Sequence, residues 1–326
     1  MAFTFTGLVD YIDEQSFPMV TKALIGGRTA SMLTPQLGVK GKTKINLMDV
    51  DVTMQDGSDC TWDASSGDID LTQREIDAQQ VKINLEFCPK DLNAYYWRTQ
   101  MAAGTHQETI PFEEQFTNYL VEKVQDELEK VIWGGDHPGG VGNLAMFDGL
   151  LIPTASFTDC NLTTGSFPTA LTGSLNVQNI LEAVERVYVD TPSAAVAKDD
   201  FRIYMGVDKF RTLISAIANG NGGPSIFGVA SGDSATSGNI SSANVDPLRI
   251  IMPGTNIEIV GVGGLEGFNA VYGFSSANAF LGMDLEEDST KIESWYSQDD
   301  RKFRVAMEWT MGTQFAYPDQ VGKVAI

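Results

Sequence analysis

His137 lies in Gly134-Gly135-Asp136-His137-Pro138-Gly139-Gly140, a glycine-rich run of the kind that can cradle a phosphate. A phosphate loop of that type closes on a Lys followed by Ser or Thr, which reach the phosphates and a magnesium ion. This run has neither, and it reads as a turn. Gly261-Val262-Gly263-Gly264-Leu265-Glu266-Gly267 follows an apolar stretch and superficially matches a dinucleotide loop. Glu266 takes the place of the third glycine, and the next segment, Ala270–Phe274, has strand rather than helix character, so a hairpin turn is expected. Asp49, Asp51, Asp56, Asp59, Asp63, Asp68 and Asp70 could attract calcium, but they keep no EF-hand spacing and lack its closing Glu. A solvated or salt-bridging tip is the stronger reading. His106 and His137 have no neighbouring ligand set, and no Ser or Cys has a local partner His. The expectation is a protein that is not an enzyme, with no catalytic or metal residues and no cofactor.

Cys60, Cys88 and Cys160 form no C-x-x-C pair and no even disulfide set, which fits a reducing compartment. The 43 acids outweigh the 22 bases, giving a net charge of −21. Such a surface repels nucleic acid rather than gripping it. Arg301, Lys302 and Arg304 form the one dense basic cluster, on an expected strand that places Lys302 and Arg304 on one face and Arg301 on the other. A salt-bridged strand is the reading preferred over a nucleic-acid site. No run of 18 apolar residues exists, and the first residues, MAFTFTGLVDYIDEQ, lack the basic start and apolar core of a signal peptide.

The elements that would position these groups are clearer than the groups themselves. Residues 39–88 read as a long β-hairpin. One limb alternates Val39, Gly41, Thr43, Ile45 and Leu47 against Lys40, Lys42, Lys44 and Asn46, slips phase near Met48–Asp49, and resumes at Val50, Val52 and Met54. A β-bulge is the expected cause of the slip. The return limb alternates Ile69, Leu71, Val81, Ile83, Leu85 and Phe87. Isolated hairpins are marginal in water, so the apolar face needs a cover, and a neighbouring subunit supplies one economically. The base carries Lys40, Lys42 and Lys44, while residues 49–70 carry seven aspartates and no Lys or Arg. Such charge segregation suits docking in a fixed register. Lys40, Lys42, Lys44, Asp56, Asp59, Trp62 and Asp63 are therefore the candidate intersubunit contacts, with Ile45, Leu47, Ile83 and Leu85 supplying apolar burial.

Pro111 opens a helix expected to run to Trp133 and to stop at Gly134–Gly135. Its apolar stripe passes through Phe112, Phe116, Tyr119 or Leu120, Val124, Leu128 and Val131 or Ile132, with Glu122, Gln125, Asp126 and Glu129 on the polar face. A short helix is expected near Asp10–Ile25 and another at Leu175–Val189. Strand–helix alternation at Phe201–Met205 and Lys209–Ala218 indicates an α/β lobe. Asn219–Asn244 is rich in Gly and Ser and has no period, as in a functional or mobile loop. Strands are expected at Leu248–Met252, Asn256–Gly261, Ala270–Phe274, Ala279–Met283, Lys291–Tyr296, Lys302–Thr310 and Gln314–Tyr317.

An arm, a long hairpin, a long helix, an α/β lobe and terminal strands, in this order, resemble the major capsid protein of tailed bacteriophages, the Hong Kong 97-like fold. The hairpin 37–90, the helix Pro111–Trp133 and the ending carry the resemblance. In that ending Ala279-Phe280-Leu281-Gly282-Met283-Asp284 precedes two strands, and Met311-Gly312-Thr313 leads to Tyr317-Pro318-Asp319. The resemblance implies an α+β fold with an N-terminal arm (1–36), an extended β-hairpin loop (37–90), a peripheral domain (91–150 with 277–326) holding the spine helix, and an α/β axial domain (151–276). It implies pentamers and hexamers tiling an icosahedral virion shell, assembled in the bacterial host cytoplasm. The shell would enclose double-stranded DNA without sequence-specific binding and without a membrane. Scaffold, portal and decoration proteins are the implied partners. A cellular encapsulin-type compartment, or an acidic β-rich phage surface adhesin, are the alternatives.

Overall fold

The computed structural model describes residues 22–56, 58, 62, 67, 69–88, 112–155, 171, 173–218, 246–252, 254–284 and 291–326. His106, Asp59, Asp63, Cys60, Cys160, Pro111 and the whole segment 219–244 expected as a loop lie outside them. The helix expected near Asp10–Ile25 enters them only at residues 22–25, which are helical.

The strands are β1 (Thr34–Leu37), β2 (Lys42–Val50), β3 (Ile69–Asp77), β4 (Gln79–Phe87), β5 (Phe201–Gly206), β6 (Arg249–Ile251), β7 (Glu258–Val262), β8 (Ala270–Ser275), β9 (Ala279–Asp284), β10 (Lys291–Ser297), β11 (Lys302–Phe315) and β12 (Gly322–Ala325). Beyond residues 22–25, the α-helices among the described residues are α1 (Phe112–Gly134), α2 (Leu151–Ala155), α3 (Ile180–Asp190), α4 (Ser193–Val196) and α5 (Val207–Ala218). The fold is α+β, as expected.

β11 organises the first sheet. It pairs antiparallel with β10, with β4 and with β9, while β1 runs parallel to β9. Two strands were expected here, Lys302–Thr310 and Gln314–Tyr317. Residues 302–315 form one strand of 14 residues. Gly312 is required in it by a close approach. A Cβ at that position would meet the backbone of Asp77 and Ala78, where the chain crosses from β3 to β4.

That crossing corrects the hairpin as well. The return limb divides at Ala78. β3 pairs with β2, but β4 turns away and pairs with β11, placing Ile83 opposite Met307 and Leu85 opposite Val305. Ile83 and Phe87 pack against this subunit's own core rather than awaiting a neighbour.

α1 spans 23 residues, about 35 Å at 1.5 Å each. Val121, Val124, Leu128, Val131, Ile132 and Trp133 are buried, and the stripe passes through Leu120, leaving Tyr119 exposed. Glu129 departs from the expectation, for it is buried. The C-terminal half of α1 lies in one apolar cluster with β11 (Val305, Met307, Trp309, Phe315) and with Tyr204, Tyr272 and Phe274 of the second sheet.

The second sheet has the order β12-β8-β5-β7-β6, with β5 and β7 parallel and the other pairs antiparallel. α3 and α5 share an apolar cluster with it through Val184, Val187, Phe210 and Leu213. The Gly261–Gly267 segment is not a hairpin turn, since β7 and β8 both pair with β5 and the connection passes over it through a short 3-10 turn at Gly263–Leu265. β12, which the sequence pattern did not reveal, brings the C-terminal residues into this sheet rather than the first.

Candidate assembly surface

β2 and β3 form a two-stranded ribbon outside both larger sheets. Its nine residue pairs run in unbroken antiparallel register from Lys42 opposite Asp77 to Val50 opposite Ile69. At about 3.3 Å per residue the paired ribbon extends roughly 30 Å. The register carries no bulge, so the slip at Met48 has another cause: the apolar side of the ribbon changes faces.

One face presents Thr43, Ile45, Leu47 and, from β3, Thr72, Arg74 and Ile76. Ile45, Leu47 and Ile76 are buried in a small cluster with Val39, Ala78 and Ala316, with Phe280 and Tyr317 against it. This seats the ribbon base on its own subunit. Ile45 and Leu47, expected to face a neighbour, are therefore already covered.

The opposite face begins polar. Lys42 pairs with Glu75 at 3.2 Å and Asp77 at 3.4 Å, and the Gln73 amide donates to Asn46 Oδ1 at 3.0 Å. The hydrogen bond to Glu75, with the charge of Asp77, holds the Lys42 ammonium above its ordinary pKa. Lys44 stands opposite Glu75, so the basic base seen in the sequence is balanced by acids of the return strand. Lys40 is exposed. Farther out the same face turns apolar. Met48 is 62% exposed opposite Leu71 at 75%, and Val50 is 43% exposed opposite Ile69 at 62%. Beyond the pairs, Val52, Met54 and Trp62 are also exposed, Trp62 at 89%. Asp56 is exposed and accepts hydrogen bonds from the Ser58 amide and hydroxyl.

Scattered apolar residues on a surface are ordinary, whereas Met48, Val50, Ile69 and Leu71 stand together on one face of the ribbon. Met48, Val50, Ile69 and Leu71 were absent from the expected contacts. The signal was present in the phase slip, which moves Met48 and Val50 across the ribbon.

The remaining sequence candidates resolve into structure. His137 is exposed in a turn, its amide donating to Asp148 Oδ1 at 2.8 Å and its Nδ1 lying 2.9 Å from the Ala145 carbonyl. Lys302 pairs with Glu86 at 2.5 Å, and Arg304 pairs with Glu86 and Asp300. This is the salt-bridged strand that was expected, except that Arg301 sits in the preceding turn at φ 54°. A cleft of about 450 Å³ between α4 and residues 254–257 is lined by Tyr188, Lys198, Asp199 and Thr255 among others, with no His or Cys. Among the described residues no group of three His, Cys, Asp or Glu is placed to hold a metal. No described helix is long and apolar enough to cross a membrane.

The sequence matches no protein-family model, and comparison with curated proteins finds no match. Solved structures do match. The procapsid of satellite phage P4 with its size determination (Sid) protein superposes at a TM-score of 0.62, covering 94% of this chain and 89% of that chain at 9% identity. The chain has the fold of phage capsid proteins. The capsid of the empty GTA particle shares this capsid fold at a TM-score of 0.54, over 94% of this chain and 90% of that one, again at 9% identity. A virus-like particle from Pyrococcus furiosus shares it at 0.52, over 97% and 100%, also at 9%. The mixed sheets and helices match that fold.

Proposed function

We propose that this chain is the major capsid protein of a tailed phage, with the Hong Kong 97-like variant of the capsid fold. It assembles as pentamers and hexamers into an icosahedral shell around double-stranded DNA. The observation that carries this reading is the exposed apolar face formed by Met48, Val50, Ile69 and Leu71 on a capsid fold. In the shell that face lies on the neighbouring subunit, with Asp56, Asp59, Trp62 and Asp63 completing the contact at the tip. Interfaces of stable assemblies bury about 1,200–2,000 Å². A projecting ribbon adds area beyond what flat flanks supply. A net charge of −21 keeps packaged DNA from adhering to the shell wall. The working location is the virion, assembled in the host cytoplasm with a scaffold and a portal.

The second reading is an encapsulin-type compartment holding protein cargo. The Pyrococcus furiosus virus-like particle, matched over 97% of this chain, favours it. The chain-wide likeness to shells is why an adhesin is not carried further. Particles isolated from producing cells separate the two shell readings. Nuclease-protected double-stranded DNA inside them is the expected result. DNA-free particles filled with one enzyme contradict the phage reading, and a chain that stays monomeric at high concentration with co-expressed phage proteins contradicts both.

A further inference from the structure

The outer face of the ribbon carries its chemistry in a fixed order. Lys42 and Lys44 stand at the base, Met48, Val50, Ile69 and Leu71 occupy the outer half, and Asp56 follows beyond the paired strands. Lys42 keeps 65% of its side chain exposed despite its ties to Glu75 and Asp77, so it can meet a further carboxylate. Lys44 is exposed as well. From residue 48 to residue 71 the chain holds seven aspartates and no Lys or Arg.

The other face of the same outer half is acidic. Asp49 and Asp70 stand directly opposite each other there, and both are exposed. Like charges in that position repel. A second copy stacked on this face by the same face would add two more carboxylates. The outer half thus has one face that a second copy can cover and one that it cannot.

The order basic, apolar, acidic is its own complement when reversed. A two-fold axis lying across the strands, at the level of Asp49 and Asp70, lays the apolar face of one ribbon on the same face of another, base to tip. Met48 then lies over the partner subunit's Val50, and Leu71 over the partner subunit's Ile69. Lys42 is seven residues from the axis on one side, and Asp56 is seven residues from it on the other. The reversal therefore brings Lys42 level with the partner subunit's Asp56. Stacking the ribbons tip to tip would instead set aspartates against aspartates. A patch that complements itself in this way is the mark of a two-fold contact.

We propose that the apolar face of the ribbon docks on the same face of a ribbon from a second copy, about a two-fold axis. This rests on the shell reading and adds where in the shell the ribbon acts. Rings of five or six close through head-to-tail contacts, whereas a two-fold contact joins one ring to another. The ribbon is the tie between rings, not between neighbours within one ring. Its charged ends set direction and register, and its apolar centre supplies the burial. Four aliphatic side chains from each copy fall short of the roughly 1,200 Å² of a stable interface, so the contact closes only within the shell.

The test places one cysteine on the ribbon of a full-length chain carrying Cys60→Ser, Cys88→Ser and Cys160→Ser. Val50→Cys lies beside the axis, and Asp70→Cys lies at the same level on the other face. Purified shells are treated with a short bismaleimide and run on a denaturing gel. A position that meets itself joins chains in pairs and in nothing larger. A position in a head-to-tail contact faces a different residue and leaves the chains single. Covalent dimers are the expected main species from Val50→Cys shells, and they are lost in Asp70→Cys shells and in unassembled Val50→Cys subunits. Val50→Cys shells that yield no dimers overturn this proposal and leave the shell reading standing, and so do dimers formed equally by Asp70→Cys. A wild-type chain that forms no shells with co-expressed phage proteins removes both. Should Val50→Cys fail to assemble, Ile69→Cys, across the ribbon, takes its place. A reconstruction of wild-type shells decides without any substitution: ribbons stacked face to face on two-fold axes support the proposal, and ribbons lying on any other surface overturn it.

Discussion

Replacing Met48 and Leu71 together with threonine yields a folded subunit that no longer closes shells. The two side chains stand opposite each other on the outer half of the ribbon and touch solvent in the subunit, so their loss costs the fold little. Surface changes of this kind usually stay within about 0.5 kcal/mol, and threonine retains strand preference and pairs well with itself across strands. At a neighbour the loss is large. Full burial of each such side chain contributes about 1.5–3 kcal/mol, so two of them shift one contact by roughly 3–6 kcal/mol. That is a factor of about a hundred to ten thousand in its association constant, repeated at each subunit of the shell. Thermal melting checks the first half and sedimentation the second. Normal particles from the double variant contradict the assignment, and so does a melting point many degrees lower. Shortening the arm tests the same face if the cut respects the register. Leu47 and Thr72 stand opposite each other and take a short Gly-Ser turn in place of residues 48–71. A wider cut, at 46–82, would remove the start of β4 and with it pairs to Thr310 and Met311.

Trp133→Ala has the opposite signature, a subunit that fails before assembly begins. Trp133 is fully buried where α1 meets both sheets, with ring centroids of Tyr204, Tyr272 and Phe274 at 5.7, 5.8 and 6.1 Å. Truncating a buried Trp costs about 3–5 kcal/mol through lost contacts and the cavity left behind. A typical total stability is about 5–15 kcal/mol, so much of the margin goes. Trp133→Phe keeps most of the volume but strands the Thr29 hydroxyl without its indole donor, for a cost of about 1–3 kcal/mol. Urea titration should order the three proteins as wild type, Trp133→Phe, Trp133→Ala. An alanine variant as stable as wild type would show that this junction does not hold the two sheets together.

The sequence made periodicity legible and left partnership hidden. α1 could be read nearly to its ends because its stripe, its glycine stop and its length agree. The ribbon was legible as alternation, but alternation states only that a strand has two faces. It does not say which strand lies alongside. Ile69, Leu71, Val81, Ile83, Leu85 and Phe87 keep one parity throughout, yet the chain changes sheets at Ala78, so the first two face solvent and Ile83 faces its own core. The phase slip at Met48 was a true signal with the wrong cause attached. A bulge and a switch of apolar face look alike in one strand, and only the β3 partners Leu71 and Ile69 tell them apart. The need for Gly312 was hidden in the same way, since it is set by a backbone more than two hundred residues away. Glu129 could not be recognised as buried from α1 alone, because its partners are supplied by Thr29.

The central claim is that the outer face of the ribbon lies on a neighbouring subunit in a closed shell. A cryo-electron-microscopy reconstruction of assembled particles, at a resolution that shows side chains, tests it directly. The account predicts Met48, Val50, Ile69 and Leu71 covered by an adjacent copy while Ile45, Leu47 and Ile76 stay on their own Ala316 and Tyr317. A closed shell in which those four side chains still face solvent would contradict it.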